Sequence, residues 1–289
     1  MGLGLVKIQT RPIARPAMNG PDATNPQDRL ACWRAGQHVS GAQHQQTPIG
    51  RTGWMFNDGT EKKLNLYFHA TPNSMKVAVL LQELELPFDV SPVDIFKGEQ
   101  HTPEFREINP NGKVPAMVDG EVTIFDSHAI LLYLAEKHGK FIPGELKAKA
   151  LMLSWLQFVA TGLSPFSGQA IHFLHYAPED IAYAKNRYVK ELERHYAVLD
   201  RRLGKARYLA GDEYTIADMA LWGWAASAGY VFGEKGLGDY PNVVRFMDEA
   251  TKRPAVQRAL DMKARHTFKA DLDAESRRAM FPQNEKDAV

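Results

Sequence analysis

The sequence predicts a small α/β unit followed by an all-helical unit. Strand-like runs lie between residues 64 and 127, helical spacing dominates from about 146 to 260, and the first sixty or so residues show neither period. Apolar residues alternate with polar ones in a half-buried strand, whereas they recur at every third or fourth position in an amphipathic helix. We therefore expect an extended or poorly ordered N-terminal extension (1–62), an α/β domain (63–139), an all-helical domain (146–262) and a polar C-terminal tail (263–289).

The α/β domain should contain its elements in the order strand, helix, strand, short helix or loop, strand, strand, helix. "LNLYF" is typical of a strand, and "SMKVAVLLQELEL" then places apolar residues from Val77 to Leu84 at helical spacing. "FDVSPVDI" is the second strand. "KVPAMVDG" and "EVTIFDS" predict two further strands that pair through a turn at Asp119–Gly120. A helix over "SHAILLYLAEKH" should end at Gly139.

The sequence of the second domain predicts helices only. In one of them Tyr188, Leu192, Tyr196 and Leu199 form an apolar stripe, which indicates packing against neighbouring helices. The predicted helices are 146–172, 178–203, 215–230, 241–250 and one around residue 254.

Two groups of polar residues in the helical domain could be mistaken for catalytic or metal sites. Thr215 and Asp218 have the spacing of a capping box, so we assign Asp218 to folding rather than to catalysis. His172, His175 and Tyr176 could line a cleft between the domains or be half-buried core residues. No second pair of ligands accompanies the two histidines, so we predict no metal site.

Composition excludes several classes of protein. The 35 basic and 34 acidic side chains nearly balance, which gives no electrostatic reason to expect nucleic-acid binding. The apolar runs are too short to span a membrane. A single cysteine, Cys32, favours a reducing compartment. We expect a soluble, cytoplasmic protein, with Met1 and Met55 both possible starts.

Three motifs together resemble the cytosolic glutathione S-transferase family. They are "NPNGKVPA", "DSHAILLYL" and "DEYTIADMALW", and the resemblance covers about residues 63–262. "TPN" after the first strand, "GEQHTPEFREINPN" and "HYAPEDIAYAKNRY" are closest to the bacterial Nu class, whose members are glutathione-dependent disulfide-bond reductases. The resemblance implies a glutathione transferase fold, with a thioredoxin-like N-terminal domain and an all-α C-terminal domain.

The resemblance also implies glutathione-binding residues. Val114 would bind the peptide backbone of glutathione as an added strand, with a cis peptide bond before Pro115. A trans proline that opens a strand is the alternative on the residues alone. Asp126 and Ser127 would hold the γ-glutamyl end at a helix N-terminus, although both residues are also common helix caps.

Three more polar residues follow from the family pattern. Gln100 and Lys113 would bind the backbone and the glycyl carboxylate of glutathione, and Arg187 would reach a glutathione in its own or a neighbouring subunit. Without the resemblance, each would be an ordinary exposed side chain. The family habit and the long helix that contains Arg187 predict a homodimer.

"HATPNSMKV" should join a strand to a helix. Thr71 and Asn73 would donate hydrogen bonds to the sulfur of bound glutathione and so favour its thiolate, with Asn73 also a binding residue. An ordinary helix entry with a Thr or Asn cap is the alternative.

The predicted function is thiol–disulfide oxidoreduction (disulfide-bond reductase activity) with bound glutathione as cosubstrate and no metal. One alternative is a glutathione S-transferase or lyase that acts on a small electrophile or aryl ether. Another is a non-catalytic glutathione-binding interaction module, because fold does not fix function.

Overall fold

The computed structural model describes residues 64–284. The predicted N-terminal extension (1–62), its two possible starts and Cys32 therefore lie outside the described residues. Within residues 64–284 the architecture is the predicted one, an α/β domain followed by helices. No helix within residues 64–284 combines the length and the apolar character that a bilayer-spanning helix needs. The exact domain boundaries stay predictions of the sequence.

A four-stranded mixed sheet forms the centre of the first domain. Its spatial order is β2-β1-β3-β4, with β1 and β2 parallel and the other neighbours antiparallel. Asp119 pairs with Val122, so the tight turn consists of Gly120 and Glu121, one residue later than expected. The strands are β1 (Leu64–Phe68), β2 (Phe88–Pro92), β3 (Ala116–Asp119) and β4 (Val122–Phe125).

Three α-helices belong to the sheet domain: α1 (Pro72–Glu83), α2 (Pro103–Ile108) and α3 (Ser127–His138). Helix α3 ends at Gly139 as predicted, because its φ of 61° is a left-handed conformation that glycine adopts easily. A 3-10 turn, Glu99–His101, precedes α2. The predicted order of elements in this domain is therefore confirmed.

Helix α1 has no solvent-facing side over its middle. It packs on α3 and on two helices of the second domain, and every residue from 74 to 81 is buried. One hydrophobic cluster accordingly runs from Leu66 in β1 through Leu80 to Leu221 in the helical domain. A polar side chain in this stretch of α1 can only point into the protein.

The helical domain differs from expectation at several helix boundaries. The chain is helical throughout the predicted helix 146–172, but a π-helical segment, Val159–Leu163, interrupts its α-helical pattern, and a second one, His172–Tyr176, follows. A π turn keeps the chain helical while it adds a residue, so apolar spacing alone does not reveal it. The helices are α4 (Leu146–Phe158), α5 (Ser164–Ile171), α6 (Ala182–Leu203), α7 (Ile216–Ala225), α8 (Gly229–Phe232), α9 (Pro241–Thr251) and α10 (Pro254–Arg265).

The capping box at the start of α7 is confirmed. Asp218 Oδ2 accepts hydrogen bonds from the backbone N–H of Thr215 at 2.8 Å and from its hydroxyl at 2.9 Å. Asp218 Oδ1 accepts from the backbone N–H of Leu209 at 2.8 Å. These bonds join α7 to the preceding loop, and Asp218 has the folding role expected for it.

The C-terminal tail wraps back over the sheet domain. The ring of Phe268 packs on His69 with centroids 4.0 Å apart, and the backbone N–H of Lys269 donates to Asp94 Oδ2 at 2.9 Å. A further helix, α11 (Ala274–Met280), had no counterpart in the predicted elements. The tail therefore lies against residues of the sheet domain.

Candidate active site

The N-terminus of α1 presents the two residues predicted to hold a sulfur. Thr71 has an extended backbone and caps the helix, with its Oγ1 accepting from the backbone N–H of Ser74 at 3.3 Å. Pro72 occupies the first turn, as proline does where a helix needs no N–H donor. No acidic residue lies in this turn, so the positive end of the helix dipole is left for an anion.

The side chain of Asn73 has a defined orientation. Its Oδ1 accepts one hydrogen bond from Lys76 Nζ at 2.9 Å and another from the indole Nε1 of Trp224 at 3.0 Å. An ammonium and an indole N–H can only donate, so the carboxamide oxygen must face both of them. The amide NH2 of Asn73 is consequently directed away from this pair.

Lys76 is fully buried at the centre of this arrangement. Its Nζ also donates to Ser164 Oγ at 3.1 Å and lies 3.4 Å from His128 Nε2. Burial lowers the pKa of Lys76 to about 7, against the opposing pull of the Asp126 carboxylate. Burial and the nearby Lys76 cation lower the pKa of His128 to about 3, so its imidazole is neutral and its Nε2 can accept.

The start of α3 is the second helix N-terminus of the site. Asp126 caps it, with Oδ1 accepting from the backbone N–H groups of His128 at 2.8 Å and Ala129 at 3.2 Å. Its backbone φ of 73° is unusual for a residue with a side chain, and such conformations occur often at functional sites. The Asp126 side chain is 64% exposed whereas Ser127 is buried, so this carboxylate is open to a ligand.

The peptide bond between Val114 and Pro115 is cis, as the resemblance implied. Nearby, the amide of Gln100 is buried and its Nε2 donates to the carbonyl oxygens of Ile95 at 3.3 Å and Ala279 at 3.1 Å. Among residues 64–284, Gln100 Oε1 has no hydrogen-bond partner. A buried acceptor of this kind suits an N–H of a ligand.

The end of the tail joins this region to the helical domain. Lys113 Nζ lies 5.8 Å from the ring centroid of Phe281, and the same ring contacts His172 edge-on at 4.8 Å and Tyr176 at 5.9 Å. His172 and Tyr176 are half-buried. Partial burial is compatible with both alternatives for these residues, cleft lining and core packing.

The structure does not join Arg187 to the other predicted site residues. Arg187 lies on α6, forms an ion pair of 3.3 Å with Glu191 and lies 6.0 Å from the centroid of Phe166. Within the described part of the chain, no group of His, Cys, Asp and Glu side chains could hold a metal ion.

Sequence reasoning missed Lys76 and Trp224 and left His128 without a role. A signal for Lys76 was present, because it is the only charged residue in the apolar run "MKVAVLL" of a helix buried on both sides. Nothing local marked Trp224, since its contact with Asn73 joins residues 151 positions apart.

Four features define a class of glutathione-binding proteins: a thioredoxin-like sheet domain, the cis proline before β3, the polar N-termini of α1 and α3, and an all-helical second domain. Family models confirm this class. The model described as "Glutathione S-transferase, N-terminal domain" matches residues 70–137, and that described as "Glutathione S-transferase, C-terminal domain" matches residues 182–249.

Two curated relatives match most of the chain. "Disulfide-bond oxidoreductase YfcG" of Escherichia coli is 43% identical over 204 residues, which span 68% of this chain and 94% of the relative. "Disulfide-bond oxidoreductase YghU" of the same organism is 40% identical over 237 residues, spanning 76% and 78%. The chain therefore belongs to the glutathione S-transferase family.

A solved relative has the same fold. The glutathione transferase of Burkholderia graminis superposes with a TM-score of 0.66 at 36% identity and covers 71% of this chain and 90% of its own. That structure is described as having two glutathione molecules bound per protein subunit.

Proposed function

We propose that the protein is a glutathione-dependent thiol–disulfide oxidoreductase whose reacting sulfurs belong to bound glutathione. The orientation of Asn73 carries this proposal, because two obligate donors hold its oxygen and leave its NH2 available to a sulfur. Together with the Thr71 hydroxyl, it would stabilise a thiolate at a helix N-terminus. The sole cysteine of the chain, Cys32, lies far from this helix in sequence, and the names of the two Escherichia coli relatives support the same chemistry.

Glutathione would lie between the two helix N-termini. Its peptide groups would bind the backbone of Val114 beside cis-Pro115, and Gln100 Oε1 would accept from one of its N–H groups. Lys113 would bind the glycyl carboxylate. At the other end, the backbone at Ser127 would bind the γ-glutamyl carboxylate, and the exposed oxygen of Asp126 would pair with the α-amino group.

The reaction would use two glutathiones for each disulfide. The thiolate of the first attacks one sulfur of the substrate disulfide, forms a mixed disulfide and releases the other sulfur as a thiolate, which takes up a proton. The thiolate of the second glutathione then attacks the glutathione sulfur of the mixed disulfide. Glutathione disulfide forms and the second substrate thiol leaves, so the substrate gains the two electrons that the glutathiones lose.

The functional unit would be a homodimer. Strand β4 is an edge of the sheet, and its Val122 and Phe125 are 42% and 43% exposed. An apolar edge strand of this kind is normally covered. We propose that a second copy covers it, and that Arg187 of one copy approaches the site of the other. Analytical ultracentrifugation of Phe125→Glu should then give monomers where the unaltered chain gives dimers.

The test of function compares substrates and variants. The protein should be retained on immobilised glutathione and reduce a glutathione-linked disulfide, and Asn73→Ala and Thr71→Ala should each lose most turnover while they keep the fold. Unchanged rates in both variants would remove these residues from the mechanism. Turnover of an aryl halide alone would indicate a transferase, and retention without either activity would indicate a binding module.

A further inference from the structure

Lys76 is a buried cation that the proposed reaction does not yet use. It is fully buried in α1, where burying an ammonium is unfavourable unless it is paired and hydrogen-bonded. An apolar residue of similar length would avoid this cost. The position of Lys76, three residues after Asn73 and bonded to it, suggests that the charge is kept for the chemistry of the site.

The ammonium is held from three helices. Its three protons match three acceptors: Asn73 Oδ1 in α1 at 2.9 Å, Ser164 Oγ in α5 at 3.1 Å and His128 Nε2 in α3 at 3.4 Å. The indole ring of Trp224 in α7 contributes a face, with its centroid 5.9 Å from Nζ. Lys76 therefore has a fixed place, which a positioning role requires.

The backbone of α7 is shaped around Lys76. A Cβ atom on Gly223 would lie 2.6 Å from Lys76 Cγ and 2.7 Å from the carbonyl oxygen of Pro72. Only glycine allows the backbone of α7 to come this close to α1. This close contact brings the indole Nε1 of the next residue, Trp224, within 3.0 Å of Asn73 Oδ1. Lys76 and Trp224 thus reach the same oxygen as one packed unit.

We propose that Lys76 is a positioning residue for the glutathione thiolate. With Trp224 it clamps the carboxamide of Asn73 so that the NH2 group donates to the sulfur, and its ammonium charge favours the thiolate over the thiol. This inference rests on the proposed binding of the glutathione sulfur beside Asn73.

The charges around Lys76 are consistent with this role. From α3 it faces the neutral imidazole of His128 and the carboxylate of Asp126, whereas the facing groups of α5 and α7 are the hydroxyl of Ser164 and the indole of Trp224. Asp126 is the anion that acts on Lys76, and a thiolate beside Asn73 would add a second. Thiolate and ammonium would stabilise each other, since each lowers the cost of the other's charge.

The first experiment replaces Lys76 by methionine, which keeps the apolar stem, and uses exposed Lys205→Met as the matched control. The readout is the pH titration of bound glutathione, followed by the ultraviolet absorbance of its thiolate. In K76M the thiol pKa should rise by about one pH unit or more, because a nearby positive charge is lost. The K205M titration should superimpose on that of the unaltered protein.

Stability separates positioning from a purely structural role. Because the removed charge is buried, K76M should keep or raise the melting temperature while kcat/KM for disulfide reduction falls about tenfold or more. A lower melting temperature together with an unchanged thiol titration would overturn the proposal and make Lys76 a structural residue.

A double-mutant cycle tests whether Lys76 acts through Asn73. If it does, K76M combined with N73A should lose little more activity than N73A alone. Losses that multiply would contradict the clamp. The thiol titration needs no second substrate, so a Lys76-dependent thiol pKa would stand even if disulfide reduction proved not to be the activity.

Discussion

The indole Nε1 of Trp224, in the helical domain, donates a hydrogen bond of 3.0 Å to the side-chain oxygen of Asn73, in the sheet domain. The helical domain therefore contributes to the orientation of a residue that we propose holds the sulfur. The packing of the helical domain on α1 would thereby set which face of the Asn73 amide meets the ligand.

Replacing Trp224 by phenylalanine should weaken catalysis moderately. The variant removes one of two donors to Asn73 Oδ1, and a neutral hydrogen bond of this kind contributes about 0.5–1.5 kcal/mol, or roughly two- to tenfold in kcat/KM. Trp222→Phe is the control, because Trp222 lies in the same helix and donates to Thr251 Oγ1 at 3.0 Å, away from the site. Equal losses in both variants would show an effect of packing alone.

Thr71→Ala should lower both stability and activity. Thr71 caps α1, and loss of such a cap costs about 1 kcal/mol of folding free energy. Thr102 caps α2 with the same 3.3 Å bond to a backbone N–H and is likewise followed by proline. Thr102→Ala should therefore destabilise the protein to a similar extent in urea unfolding but leave the bound thiol titration unchanged. If T71A also leaves that titration unchanged, Thr71 is only a cap.

Patterns that repeat within one segment predicted most of the fold. The alternation in "LNLYF" and the helical spacing after it predicted β1 and α1, and Gly139 marked the end of α3. The errors occurred where tertiary contacts determine the local backbone structure. At the interruption after Phe158, Gly162 packs against the ring of His195 from α6, which no local period encodes.

The residues of the candidate site likewise fall into two groups, those that sequence motifs predicted and those whose role depends on tertiary packing. The resemblance indicated Thr71, Asn73 and the cis bond before Pro115 because those positions carry recognisable motifs. Lys76 and Trp224 were missed because their role exists only once α1, α3, α5 and α7 have packed. A lone charge in a helix buried on both sides is the one signal from the sequence that would have directed attention to Lys76.

Gly223→Ala should be destabilising although alanine favours helices. The new methyl group would overlap Lys76 Cγ and the carbonyl oxygen of Pro72, and overpacking of this kind costs about 1–3 kcal/mol. It should also displace Lys76 and raise the pKa of the bound thiol. Gly168→Ala in α5 is the control, since its Cβ would meet only Trp224 at an ordinary 3.9 Å. That change should be neutral or stabilise by up to about 1 kcal/mol, as measured by thermal unfolding.

The buried ammonium of Lys76 should make stability depend on pH in a defined window when glutathione is absent. The folded pKa is about 7, well below the ordinary value of 10.5 that applies to the unfolded chain. Between these values the unfolded chain binds a proton that the folded protein has lost, so the free energy of unfolding rises with pH. Below about pH 7 both states are protonated and the cost of the buried charge is constant.

K76M isolates this contribution above about pH 7, because burial alone keeps His128, whose pKa the Lys76 cation also lowers, neutral there in both proteins. Urea unfolding from about pH 7 to about pH 10 should show the unaltered protein gaining stability relative to K76M as the pH rises. Saturating glutathione should reduce this gain, since a thiolate beside Asn73 would raise the folded pKa of Lys76. The pH range between the folded and unfolded pKa values would then be narrower. Parallel stability curves for the two proteins without glutathione would mean that the folded protein holds Lys76 at an ordinary pKa.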